Sequence, residues 1–229
     1  MSVQFKNIGT ENTAGILLKD VIKMDKTIGK TKGGNGADEI WVYENGAWVK
    51  YYFWSSRGTG NVWLDYSQSP TKAADAIAAE TKATLKPGQC FFFCRGLGSD
   101  GNANLAGEVI PLKDVVQFSV KGGSTTPMAY PWPTEMAVND FTKYIDKPIG
   151  KTKGGNGADE IWVYENGAWV KYYFWSSRGT GNVWLDYSQA PTKAADAIAA
   201  TTNAKFLPGQ AFFFCRGLGS DGNISFNAE

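Results

Sequence analysis

The sequence predicts an all-β protein of two tandem, near-identical β-sandwich-like domains, each with at most one short helix. Three observations carry this prediction. Residues 25–102 recur as residues 146–223 at a constant offset of 121, with only eight differences over 78 positions. A repeat of that length is domain-sized and too long for one turn of a solenoid. Within each copy, apolar residues alternate with a period of two around an Asn-Gly dipeptide, the strongest short-range mark of a β-hairpin. Glycine supplies 27 of 229 residues, above the usual ~7%, as many tight turns require.

The boundary falls near residues 110–115, dividing the chain into 1–111 and 112–229. Each domain opens with a leader outside the repeated block. Both leaders contain VQF, at Val3–Phe5 and Val116–Phe118, but the first runs eight residues shorter from there to the block and lacks TTPMAYPWP. The first domain is therefore expected to miss part of an edge strand, and an open edge is a template for pairing with another chain. The MSVQF segment or the closing NISFNAE strand of a neighbouring copy would fill it by strand addition.

Within the block the elements follow in order. GKTKGGNG (29–36 and 150–157) reads as a glycine-rich surface loop. A phosphate loop would need glycine where Met24 and Ile145 stand, and a helix to follow rather than a strand. EIWVYE and AWVKYYFW flank Asn45-Gly46, and a type I′ turn there pairs Glu44 with Ala47 and, in step, Glu39 with Tyr52. One face of that hairpin holds Ile40, Val42, Val49 and Tyr51. The other holds Trp41, Tyr43, Trp48 and Tyr52, beside Glu39 and Lys50. NVWLDY (61–66) gives the next strand, and PTKAADAIAAETKA (70–83) has the composition of a short helix. After Lys86-Pro87-Gly88, the unbroken apolar run CFFFCR (90–95) suits a central strand buried on both faces. LGSDGN is a loop before a last strand, NLAGEVI.

Composition and spacing exclude most chemistry. A net charge of +1 gives no general attraction for nucleic acid or anionic membranes. The absence of histidine removes the commonest proton shuttle and metal ligand. No apolar run reaches the ~20 residues of a membrane-spanning helix, and the N-terminus lacks the pattern of a signal peptide. Cys90 and Cys94 stand about 13 Å apart along a strand, beyond disulfide reach, and are read as buried thiols. Cys90 is Ala211 in the other copy, which does not suit a nucleophile. The GSDGN loop lacks the ligand spacing of a calcium site. Asp38 and Glu39 are adjacent on a strand, so they point to opposite faces and cannot act as a pair; Asp38 is read as closing the preceding turn. No catalytic set, metal site or cofactor is expected.

The informative surface is the hairpin's aromatic face: Trp41, Tyr43, Trp48 and Tyr52, recurring as Trp162, Tyr164, Trp169 and Tyr173. Each such ring buries ~150–250 Å² when covered. Cover by another sheet or by the Ala-rich segment would make the face core. Left open, it would be a protein interface or a stacking platform for sugar rings.

MAYPWPTEMAVNDF, GADEIWVYENGAWVKYYFWSS, LPGQAFFFCR and a closing strand like LAGEVI together resemble secreted β-repeat proteins of verrucomicrobial and planctomycete type. The resemblance covers nearly all of the second copy and most of the first, which lacks the PWP leader. It implies a structural role at the cell surface or outside the cell. The expected function is a structural subunit of an extracellular surface assembly or filament, joined to copies of itself by strand pairing or aromatic contacts. The alternative is a carbohydrate-binding module that uses the Trp/Tyr face. No enzymatic activity, nucleic-acid partner or membrane insertion is expected.

Overall fold

The computed structural model describes residues 15–24, 26–33, 36–86, 89–97, 103–105, 116–154 and 157–226. These form two compact units, residues 15–105 and residues 116–226. Both are built mainly from antiparallel strands, the all-β class the sequence predicts.

The first unit runs β1 (Ile16–Leu17), α1 (Leu18–Val21), β2 (Ile22–Met24), β3 (Glu39–Glu44), β4 (Ala47–Ser56), β5 (Thr59–Asp65), α2 (Ala73–Ala78), β6 (Thr84–Leu85), β7 (Phe91–Cys94) and β8 (Ala103–Leu105). Its main sheet has the order β5-β4-β3-β7, with β1-β6 and β2-β8 as small two-stranded sheets. The β3–β4 register is the one the Asn-Gly turn dictates, from Glu44 opposite Ala47 to Glu39 opposite Tyr52. Asn45 and Gly46 take φ of 49° and 84°, the left-handed pair a type I′ turn needs. Of the last predicted strand, NLAGEVI, Asn104 and Leu105 pair with Lys23 and Ile22, and β8 begins one residue earlier with Ala103 opposite Met24; residues 106–110 and the MSVQF segment lie outside the described residues.

The second unit runs β9 (Val116–Val120), β10 (Thr125–Ala129), β11 (Met136–Ala137), the 3-10 helix η1 (Val138–Tyr144), β12 (Glu160–Glu165), β13 (Ala168–Ser177), β14 (Thr180–Asp186), α3 (Ala194–Ala199), β15 (Lys205–Phe206), β16 (Ala211–Cys215) and β17 (Gly222–Phe226). Its main sheet has five strands, β10-β16-β12-β13-β14. The extra strand, TTPMA, comes from the stretch missing in the shorter leader, and it lies on the outer side of β16. Beside the expected Ala-rich helix, each unit carries one further helical segment in its leader, α1 or η1.

The inner face of each main sheet packs against its leader and a two-stranded sheet, β1–β6 in the first unit and β11–β15 in the second, where β9 and β17 join it, which gives the two-layer character. In the second unit Met128, Ile161, Val163, Phe174, Trp184, Phe212 and Phe214 of the sheet pack against Tyr130, Phe141, Phe206 and Phe226. Phe141 is the hub, with ring centroids 5.5 to 5.9 Å from Phe206, Phe212, Phe214 and Phe226. Among the described residues, the first unit's core on this face consists of Leu18, Ile40, Val42, Tyr51, Phe53, Trp63 and Leu85.

Two sequence expectations change here. The CFFFC run is buried on one face only: Phe212 and Phe214 are enclosed, while Phe213 and Cys215 are partly exposed and Phe92 is 37% exposed. Among the described residues no second sheet lies over the outer face at that point. The closing strand of the second copy is not free to join a neighbour, because β17 pairs with β9 over its full length and bridges to Ile145.

Candidate functional site: the outer aromatic ridge

On the outer face of each main sheet the alternation of β3 and β4 lines up Glu39, Trp41, Tyr43, Trp48, Lys50, Tyr52 and Trp54. The structure divides this face into two parts. At the end far from the turn, the Ala-rich helix α2 lies over it, and Tyr52, Trp54, Val62, Leu64 and Ala76 form a second core. Tyr52 is fully buried, and its hydroxyl donates to the Gln68 carbonyl at 2.8 Å. Trp54 Nε1 donates to the Pro70 carbonyl at 3.0 Å. Tyr173, fully buried, repeats this with Gln189, and Trp175 with Pro191. Tyr52 and Tyr173 are therefore core residues and leave the candidate surface.

The glycine-rich loop also packs here. A side chain at Gly33 would meet the rings of Tyr52 and Tyr66 at 2.9 Å, and one at Gly29 would meet Ser55 Cβ at 2.2 Å. Its glycines serve close approach to β4. Lys30 sits in a parallel bridge with Trp54, its N–H donating to the Phe53 carbonyl at 3.2 Å.

Toward the turn, the outer face is open. Tyr164 and Trp169 are 57% and 44% exposed, with centroids 5.2 Å apart and planes at 63°. Trp169 continues to Phe213 at 5.1 Å and 40°. The first unit repeats the ridge as Tyr43, Trp48 and Phe92, at 5.2 and 4.9 Å, with Tyr43 and Trp48 partly exposed. Trp41 and Trp162 lie beside it, partly buried. Each donates Nε1 to its neighbouring glutamate at 2.9 Å, and each has a lysine Nζ 3.8 Å over its ring, Lys50 or Lys171. Such cation–π contacts contribute ~0.5–1 kcal/mol at exposed sites.

Of the eight aromatic residues marked in the sequence, Tyr43, Trp48, Tyr164 and Trp169 form the ridge, Trp41 and Trp162 flank it, and Tyr52 and Tyr173 lie beneath the helix. Phe92 and Phe213 join it unforeseen. Strand parity puts them on the outer face, but only the pairing of Trp41 with Phe92 and of Trp162 with Phe213 brings them to the hairpin.

The acids flanking the hairpin also resolve. Asp38 and Asp159 do more than close a turn. Asp159 is fully buried and accepts from Ile149 N–H at 2.8 Å, Gly217 N–H at 2.8 Å and Arg216 Nη1 at 3.0 Å. Burial pushes its carboxyl upward, opposed by the two N–H donors and the guanidinium. Asp38 repeats the arrangement with Ile28, Gly96 and Arg95. These clasps tie the glycine-rich loop to the end of the strand after the Phe run, and every carboxylate oxygen is engaged internally.

The three cysteines are free thiols. Cys90 is buried, and desolvation raises it to about 12. Cys94, expected buried, is only partly so because it shares the open face with Phe92; desolvation first, then Glu39, raises its pKa. Among the described residues no group of three or more acidic or sulfur ligands converges, and no helix is long and apolar enough to cross a membrane. Comparison with protein-family models, characterised proteins and solved structures finds no match for this chain.

Proposed function

We propose that the protein is a structural subunit that assembles with copies of itself at the cell surface or outside the cell, using its aromatic ridges as contacts. The observation that carries this reading is the exposure of Tyr164 and Trp169 near the tip of a hairpin, backed by Phe213. Exposed Trp and Tyr clusters on fixed backbone are the usual anchors of protein interfaces, because they bury much area with little loss of side-chain freedom. The ridge occurs once per unit, so each chain carries two contacts. A subunit with two contacts that do not close on each other grows into a chain of subunits.

Sugar recognition is less favoured by the ring geometry. Stacking on a sugar asks for an open, flat ring face, whereas neighbouring rings here are inclined by 36° to 63°, and the faces of Trp41 and Trp162 carry lysine ammonium groups. The test is sedimentation across a concentration series of the full chain and of the double variant Trp48→Ala, Trp169→Ala. The wild type is expected to grow beyond the dimer and the double variant to stop growing. A wild type that never grows, and that binds a polysaccharide which the variant loses, would establish the carbohydrate-binding alternative instead.

A further inference from the structure

The two main sheets have four edges, and the described residues block three of them by different means. At the outer edge of β14 the middle residue is spent: Thr202 N–H donates to the Trp184 carbonyl at 3.0 Å, and Trp184 N–H donates to Asn139 Oδ1 at 3.2 Å. At the edge of β5 the equivalent carbonyl, that of Trp63, accepts from Thr81 N–H at 2.8 Å. The edge of β10 is blocked by sequence. Tyr130 N–H donates to the Gln210 carbonyl and Arg216 N–H to that of Ser124, so even-numbered residues of β10 face β16 and odd-numbered ones face away. Pro127 is odd, and it leaves no N–H where an incoming strand would need one.

The fourth edge is the outer side of β7. Tyr43 N–H donates to the Cys90 carbonyl, so the even-numbered residues of β7 bond to β3, while Phe91 and Phe93 turn their N–H and C=O groups outward. Their counterparts Phe212 and Phe214 bond there to β10. Among the described residues no strand pairs with β7 on that side.

We infer that this edge is a self-pairing site, at which β7 of one chain joins β7 of a second copy antiparallel about a two-fold axis. The edge fits itself. Setting Phe92 opposite Phe92 of the copy places Phe91 opposite Phe93 twice, as hydrogen-bonded pairs, with like faces matched. The partly exposed Phe91 and Phe93 then meet the same residues on the inner face, and the 37% exposed Phe92 meets its equivalent on the outer face. Aromatic cross-strand pairs are among the better ones in sheets. The two four-stranded sheets become one of eight strands. One such edge per chain gives a closed dimer, and the ridges link the dimers onward.

The inference rests on the reading of the chain as a self-associating subunit but not on the ridges, so its test is made with them disabled. In the Trp48→Ala, Trp169→Ala chain a dimer is expected to persist, at twice the monomer mass, and adding Phe93→Pro is expected to return it to monomer. Proline there removes an outward N–H and leaves the β3–β7 bonds in place. Hydrogen exchange on the unmutated chain guards against a proline variant that fails to fold. Protection of the Phe91 and Phe93 amides is expected to rise at least roughly tenfold from dilute to concentrated solution. A ridge-disabled chain that is monomeric, or protection independent of concentration, overturns the edge dimer and leaves the ridge proposal standing. Growth beyond the dimer that the ridge changes leave unaffected overturns the ridges, while loss of the ridge-disabled dimer on Phe93→Pro keeps the edge.

Discussion

Phe93 and Phe214 occupy the same position in two nearly identical sequences, yet Phe214 is fully buried and Phe93 partly exposed. The difference lies outside the repeated strand. In the second unit the longer leader brings β10 alongside β16 and sets Phe141 5.9 Å from Phe214. In the first, the leader contributes Ile16 and Leu18, and Leu85 stands where the second copy has Phe206. Burial of a side chain is thus set as much by what the chain lays over it as by its own strand, and each near-identical pair becomes an internal control.

The comparison is broken most strongly at that position. Phe214→Ala is expected to destabilise the second unit by about 3–5 kcal/mol, the range for a large cavity in an enclosed core. Phe93→Ala is expected to cost the first unit less than half as much, because solvent already reaches the ring. Chemical denaturation of the two variants, with Trp fluorescence following each unit's transition, checks this; equal losses would mean the leaders do not differ in cover.

The clasps give the next contrast. Arg216 and Asp159 are both fully enclosed, whereas the Arg95 side chain is 20% exposed against an enclosed Asp38. Asp159→Ala leaves a buried guanidinium without its carboxylate and is expected to cost about 3–5 kcal/mol. Asp38→Ala should cost about 1–3 kcal/mol, since water can reach Arg95. The ratio of the two losses in thermal unfolding is the measurement, and a larger loss in the first unit would contradict the burial difference.

The smallest expected contrast is none at all. Gly46 and Gly167 have φ of 84° and 83°, with open space where a side chain would go. Valine at either place meets only backbone strain, about 1–3 kcal/mol. Equal shifts in Gly46→Val and Gly167→Val would confirm that the turns are equivalent, and unequal ones would reveal a neighbour acting on one hairpin.

What was legible in the sequence follows from the range of the interactions. The hairpin register and the Ala-rich helix depend on residues within a few positions of one another, and Asn45-Gly46 determines all six pairs of β3 with β4. The clasp could not be read, because Asp38 and Arg95 are 57 residues apart and nothing in either's neighbours announces the other. The aromatic face was legible as a face but not as two halves. Tyr52 and Trp48 share its parity, and only the placement of α2 makes the first core and leaves the second in the ridge. The shorter first leader was visible as an eight-residue difference, and among the described residues no strand takes the place of β10 beside β7, whereas the closing NISF strand's choice of β9 depends on pairing across more than a hundred positions.

That last pairing has a mechanical side. Val116 lies opposite Phe226, and Val120 opposite Gly222, so the first and last strands of the second unit run antiparallel with the unit's two ends at the same end of the ladder. Tension applied through those ends loads the β9–β17 bonds one at a time, as in opening a zip, instead of all together in shear. The main sheet, clasped by Asp159 and Arg216, lies outside that load path. Under stretching through those ends, the β9–β17 ladder is expected to peel first and at low force, drawing Phe118 and Phe226 out of the core ahead of the main sheet.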